Sequence, residues 1–362
     1  MPPVWTVMTG GRWTPWPLGS GHDLLSCLAV PVPSTGLPDG SARDFVAREI
    51  LPLIFPETTA SVDPVLVLVA RPPGSIAAPA TGRLVAEHGR DIAVVNGDDL
   101  RALHPDIAGG AGSTDAVQAD SAEWLRACIA FARENRRSLL LDGQFSPAAA
   151  LGTAERFADA GFRTRVVVTG ARRAESLLSA VSLYLRSIQS GGSARLVGRE
   201  AHDRGFEGAR ELAAALEEST AVDRVTVLGR NGTPAFDAER RDQDRPFQGA
   251  SAALRAVQSE RLTSLQSTQW LSELRRVTEF SVTLRQVPRP LTELLIDLHE
   301  TALREIIPEL PVPAGSAVVA AQERRSAAEL VALRRSLVEE RPADVAAPVV
   351  VPAGPDRGGL SR

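Results

Sequence analysis

The sequence contains no lysine; all 40 of its basic residues other than histidine are arginine. A glycine-rich phosphate loop that closes on a lysine therefore cannot exist anywhere in this chain. A composition heavy in Ala, Arg, Pro and Gly accounts for arginine on the surface, but not for the loss of a lysine that chemistry requires. Cysteine is scarce as well. Cys27 and Cys128 are far apart and lack metal-ligand spacing, so they read as free thiols of a reducing cytoplasm, with a disulfide between them left open. There is no basic excess: the formal charge is −4, and no stripe of arginine compensates locally, which argues against a nucleic-acid partner. No apolar run reaches membrane-spanning length. Met1-Pro2-Pro3 is not followed by a basic stretch and an apolar core, so neither secretion nor membrane insertion is expected.

What is present suffices for a folded protein. With 362 residues and 44% hydrophobic content, the chain can bury one large core with appended segments, or two modest ones. Residues 1–40, rich in Pro, Gly and Ser and holding Trp5, Trp13 and Trp16, show no sustained period and read as an irregular extension. Apolar residues at helical spacing from Ala42 to Phe55 predict a short helix that Pro52 stops or kinks. Short β-rich runs follow at Val65–Val69, Ile92–Val95, Leu139–Leu141, Val166–Val168 and Val225–Leu228, separated by helical stretches such as 122–136, 148–160 and 174–188. Apolar strands alternating with helices predict a doubly wound parallel α/β sheet, covered on both faces, over residues 41–240. Its ligands belong at the carboxyl ends of the strands. Asn231-Gly232 predicts a hairpin with a return strand at Pro234–Phe236. Residues 247–341 read as helical, near 250–260, 264–279, 290–306 and 318–340, with Pro308, Pro311 and Pro313 dividing the last two. The Ala, Pro and Gly-rich tail 342–362 reads as disordered.

The segments after the strands carry a pattern. Ala70-Arg71-Pro72-Pro73-Gly74-Ser75-Ile76-Ala77-Ala78 follows the first run, and Asn96-Gly97-Asp98-Asp99-Leu100-Arg101 with His104-Pro105-Asp106 follows the second. Leu141-Asp142-Gly143 and Ala201-His202-Asp203 lie further on, and Ile50-Leu51-Pro52 stands upstream. In order and spacing this set resembles the zeta toxin family over about residues 42–236. Trp270-Leu271-Ser272-Glu273-Leu274 is similar to a segment of actinobacterial members. The resemblance implies a P-loop kinase fold, with ATP- and magnesium-dependent phosphorylation of the 3′-hydroxyl of UDP-N-acetylglucosamine. That activity poisons wall synthesis until an antitoxin binds.

Laid on the family's Gly-x-x-x-x-Gly-Lys-Ser/Thr loop, whose backbone N–H groups curl around phosphate, this chain has Arg71 and Ile76 for the glycines, Ala77 for the lysine and Ala78 for the hydroxyl. Gly74 and Ser75 are what remains as a cofactor-binding loop. A β-branched Ile76 resists the positive φ a glycine adopts. Each lost ionic hydrogen bond to phosphate costs about 1.5–3 kcal/mol, and each lost transition-state donor roughly 10²–10³ in rate. ATP and magnesium are thus cofactors of the family, expected here to bind weakly or not at all. Arg71 or Arg83 could in principle replace the lysine, or simply face solvent.

By the same resemblance, Asp98 stands where the family has its catalytic base; on its own residues it reads equally as a helix cap. Asp142 and Gly143 fall at a substrate- or magnesium-contacting glutamate and glycine, with Gln144 in place of a threonine, or form a plain turn. His104 belongs to the substrate-binding set, although no histidine has metal-ligand spacing and no metal site is expected. Arg195 matches one of two phosphate-clamping arginines. The other is replaced near Leu183, with Arg186 one turn later as a partial substitute. His202-Asp203 matches a pair before the next helix, where Asp203 would cap. Three readings stand: a degenerate pseudokinase that still holds a protein partner such as an antitoxin, or a UDP-sugar; a kinase with an altered phosphate clamp; and an interaction module built on the helical C-terminal region.

Overall fold

The computed structural model describes residues 6–9, 12–15, 44–55, 59–72, 78–108, 115–189, 196–240, 247–284, 287–313 and 315–339. An antiparallel ribbon of β1 (Thr6–Thr9) and β2 (Arg12–Pro15) comes first, a regular element within a segment whose composition suggests none. A π-helical turn, Val46–Ile50, leads into α1 (Leu51–Ile54). Pro52 has no N–H to donate and sits in the first turn of α1, so the wider turn before it absorbs the missing bond instead of ending the helix.

Strands and helices then alternate: β3 (Val65–Ala70), α2 (Ala78–His88), β4 (Ile92–Asn96), α3 (Gly97–Ala102), α4 (Pro105–Ala108), α5 (Asp115–Glu134), β5 (Ser138–Gly143), α6 (Pro147–Asp159), β6 (Arg163–Thr169), α7 (Arg173–Gln189), α8 (Arg199–Glu218), β7 (Arg224–Leu228) and β8 (Pro234–Glu239). Four helices follow: α9 (Ala250–Ser259), α10 (Ser264–Val282), α11 (Arg289–Thr301), which continues as a π-helical turn over Ala302–Ile306, and α12 (Ala317–Glu339).

The sheet has the order β4-β5-β3-β6-β7-β8, parallel throughout except for β8, which returns beside β7 through the expected hairpin. Gly232 in that turn has φ of 70°, a conformation that favours glycine. Strand residues alternate between two cores. Leu66, Leu68, Leu139, Leu141, Val166 and Val168 face one cluster, and Val67, Val69, Leu140 and Val167 face the other. The first is covered by α5, α6, α8 and α9 through side chains such as Trp124, Phe157, Leu212 and Leu254, and the second by Leu84 of α2. Burial on both faces is why these strands read as unbroken apolar runs.

A third cluster joins α7 to the last three helices: Leu177, Val181 and Leu185 pack with Trp270, Leu274, Leu294, Leu298 and Leu333. Trp270 adds a bond from its indole Nε1 to the Ala174 carbonyl at 3.0 Å. Just before α7 the chain passes very close to α9; a Cβ on Gly170 would lie 2.6 Å from Val257 Cγ1, so this position needs glycine.

Candidate functional site

The carboxyl ends of β3, β4 and β5 meet at one cleft of about 300 Å³. Register brings this about. Asn96 of β4 pairs with Asp142 of β5, and Ala70 of β3 pairs with Gly143. Arg71 continues from β3, and its N–H donates to the Gly143 carbonyl at 3.2 Å. Its Nε donates to Asp142 Oδ1 at 2.7 Å, while Thr81 Oγ1 lies 3.4 Å from the other carboxylate oxygen. The side chains of Arg71 and Asp142 are 13% and 7% exposed, so this is a largely desolvated charge pair in the cleft wall.

The cap of α3 is Asn96, whose Oδ1 accepts from the Asp98 N–H at 2.7 Å. This corrects the capping role expected for Asp98, because an Asx side chain at the strand end already satisfies that donor. Asp98 instead lies in the first turn of α3 with an exposed side chain and an ion pair to Arg101 at 3.0 Å. It lines the cleft together with Asn96, Arg101, Gln118 and Gln144. Burial, then the nearby Asp98 and Asp142 carboxylates, push the neighbouring Asp99 above the usual carboxylate range.

Asp98, Asp142 and Gly143 are thus brought together, and Arg71 with them. His104 is not among the described lining residues. It is buried, stacks on Trp124 with ring centroids 5.3 Å apart, accepts from the Asp106 N–H through Nδ1 and lies 3.3 Å from Asp120 Oδ2 through Nε2. Both nitrogens are occupied in holding α4 against α5. Arg83 donates to the Gly232 carbonyl at 2.9 Å, which ties it to the β7–β8 turn and not to the cleft. Arg186 pairs with Glu273 of α10 at 3.1 Å and Leu183 is exposed, and neither is among the described residues that line the cleft. Gly74 and Ser75, with the rest of 73–77, and Arg195 and Cys27 lie outside the described residues. Cys128 is free and buried, and burial pushes its thiol up to about 12.

His202 and Asp203 fall inside α8, whose cap is Gly198, so Asp203 does not cap it. Asp203 receives a two-pronged contact from Arg173 at 2.8 and 2.9 Å, and Arg173 also donates to Asp297 of α11 at 2.8 Å. His202 lies 2.7 Å from Ser176 Oγ and 3.2 Å from Asp203 Oδ1. The hydroxyl–imidazole–carboxylate order imitates a nucleophilic triad, but Ser176 and His202 are 1% and 0% exposed. No substrate reaches the hydroxyl, and the group is a packing network.

The family model for the zeta toxin matches residues 55–241, more than half of the chain. The chain belongs to the zeta toxin family. A solved structure of the PezAT chromosomal toxin–antitoxin system of the human pathogen Streptococcus pneumoniae superposes with a TM-score of 0.57 at 16% identity, covering 67% of this chain and 98% of that one. At that identity the likeness shows the P-loop kinase-like fold alone. Structures of the AvrRxo1-ORF1:AvrRxo1-ORF2 complex give lower scores: 0.44 with sulphate ions and 0.39 with ATP, each at 11% identity over 78% of this chain, covering 89% and 86% of those chains. No curated protein sequence matches.

For a zeta toxin fold, the cleft contains residues that the sequence reading passed over. Asn96 stood in the quoted motif without a role, and the structure makes it the last residue of β4 and the cap of α3. Gln118 and Ser121, three apart on α5, line the cleft from the part of the helix that precedes the stretch 122–136 read as helical. Their i, i+3 spacing was the available signal. Among the described residues no helix is long and apolar enough to cross a membrane.

Proposed function

We propose that this zeta toxin family member is a pseudokinase, a zeta-type fold that has lost ATP binding and phosphoryl transfer to UDP-N-acetylglucosamine. One observation carries the reading: Arg71, aligned with the first glycine of the phosphate loop, is ion-paired to Asp142, aligned with the family's substrate- or magnesium-contacting acid. A loop glycine lets backbone N–H groups approach phosphate. Arginine at this position instead turns its guanidinium onto the acid and neutralises it. For Asp142 to hold magnesium or a sugar hydroxyl, the charge-assisted bond must first be broken at a cost of about 1.5–3 kcal/mol. That alone weakens such a ligand by about 10- to 100-fold. The lysine that would hold the β- and γ-phosphates has no substitute among the described arginines followed above, since Arg83 and Arg186 are engaged elsewhere. Asp98 remains in the cleft as the residue best placed to serve as a base, but without a gripped triphosphate it has no partner reaction.

What such a protein retains is binding, to a protein partner of the antitoxin kind or to a UDP-sugar in the cleft. Thermal denaturation with Mg-ATP tests the loss: the melting temperature stays unchanged, and a rise of several degrees overturns the reading. A phosphotransfer assay on the wild type and Asp98→Ala gives no phosphorylated UDP-N-acetylglucosamine from either. Product that depends on Asp98 would establish a working kinase.

A further inference from the structure

Three carboxylates crowd the ends of β4 and β5. Asp98 and Asp142 line the cleft, and Asp99 lies near enough to both that their charges, after burial, raise its carboxyl, while the charge of Arg71 pulls it back. Among the described lining residues two cations answer these acids, Arg101 and Arg71. They do so differently. Arg101 meets Asp98 at 3.0 Å from one helical turn away, with 24% and 67% of the two side chains exposed, so water screens the pair and either member leaves it at little cost. Arg71 meets Asp142 at 2.7 Å with both side chains nearly closed to water. A carboxylate desolvated to that degree needs a lasting positive charge beside it, from a side chain or from a bound metal.

The residues present do not fit a metal. Oδ1 of Asp142 accepts from Arg71 Nε, and Oδ2 has Thr81 Oγ1 at 3.4 Å. Among the described residues no three acidic, histidine or cysteine side chains converge as a metal cage. Magnesium needs only one or two carboxylates when water completes its shell, so a shortage of acids is not what excludes it. The guanidinium is. It is tethered to the chain and keeps its charge, so it neutralises Asp142 whatever the metal concentration.

We propose that Arg71 is the built-in cation of this cleft: its guanidinium stands in the place of a divalent metal at Asp142, and whatever small ligand the cleft keeps is bound without metal. The inference rests on the pseudokinase reading and sharpens it, because it traces the loss of the metal to one side chain.

Magnesium alone, with no nucleotide, tests it on the full chain. In protein labelled with ¹³C-aspartate, the Asp142 carboxyl resonance, assigned by its loss in Asp142→Asn, stays in place through a magnesium titration of the wild type. Arg71→Met keeps much of the side chain's volume but not its charge. In that variant the resonance moves, and magnesium binds about 10- to 100-fold more tightly than to the wild type, the equivalent of one charge-assisted bond that no longer has to be broken. Arg71→Lys keeps a charge and behaves as the wild type does. A purely steric plug makes methionine act like arginine, so an unmoved resonance in Arg71→Met overturns the proposal. A resonance that moves as readily in the wild type overturns it equally. Should Arg71→Met fail to fold, the wild-type titration decides. No nucleotide is present, so the two readings fail separately: a melting temperature raised by Mg-ATP counts against the loss of ATP binding, and the Asp142 resonance reports on Arg71.

Discussion

Arginine meets carboxylate at two places beside this sheet, with opposite consequences. In the cleft, Arg71 and Asp142 come from adjacent strand ends, and the pair closes on itself where a ligand would bind. After β6, Arg172 reaches Glu305 and Glu309, and Arg173 reaches Asp203 and Asp297, across 133, 137, 30 and 124 residues of sequence. Those contacts fasten the C-terminal helices to the carboxyl end of the sheet. Against the upward push of burial, the bonds from Arg173 and His202 hold the Asp203 carboxyl below its ordinary range. At one edge of the sheet the same residue type thus pairs inside a cleft and, beside it, staples helices in place. What decides is the partner, since a guanidinium that cannot lose its charge must find an acid wherever the fold desolvates it.

The sharpest way to break this comparison is at the staple. Arg173→Ala leaves Asp297, whose side chain is 7% exposed, with only the longer pair to Arg199 at 3.6 Å, and costs about 3 kcal/mol in urea unfolding. Removing Asp297 as well recovers part of that loss, because the weakly compensated charge disappears. A double-mutant cycle reporting strict additivity would show that the two side chains do not act as a unit.

Acid weakens the helical side next. His299 is held at about 4 in the folded chain against 6.5 when free, and burial lowers His202 as well. The unfolded chain therefore takes up protons first. Stability is full above about pH 7 and falls as pH drops from 6.5 toward 4, by at most about 3 kcal/mol for His299. Urea midpoints at pH 7.5 and 4.5 measure the slope, and His299→Leu makes it shallower. The cleft responds more mildly. Asn96→Ala removes the cap of α3 and costs about 1 kcal/mol by thermal or urea denaturation. Smallest is Asp98→Ala, which loses only an exposed i, i+3 pair with Arg101 and shifts stability by less than about 0.5 kcal/mol. A large loss there would mean that Asp98 holds structure the described contacts do not contain.

Much of the architecture was legible because burial on both faces leaves a sequence signature. The five parallel strands, the β7–β8 hairpin and the four last helices stand where apolar runs, Asn231-Gly232 and helical periods put them. The chemistry was less legible. Asp142 and Asp98, singled out by the resemblance, do line one cleft, yet Asn96 took the cap, Arg83 and Arg186 turned to other partners, and His104 was used up by Trp124, Asp106 and Asp120. Caps and ion pairs depend on which neighbours arrive within about 3 Å, and periodicity carries no such information.

Sequence alone determined that no lysine can grip a phosphate here, that alternating strands and helices build a zeta-type sheet, and that the candidate cleft lies at the strand ends. Only the tertiary structure decided that Arg71 lies on Asp142, that α7 belongs to the core of the C-terminal helices, and that Thr278 meets His299 in that core. The division has a physical cause. Backbone pattern is written in residues a few positions apart, whereas charge pairing and cavities are made by side chains that the chain brings together from more than 20 residues away.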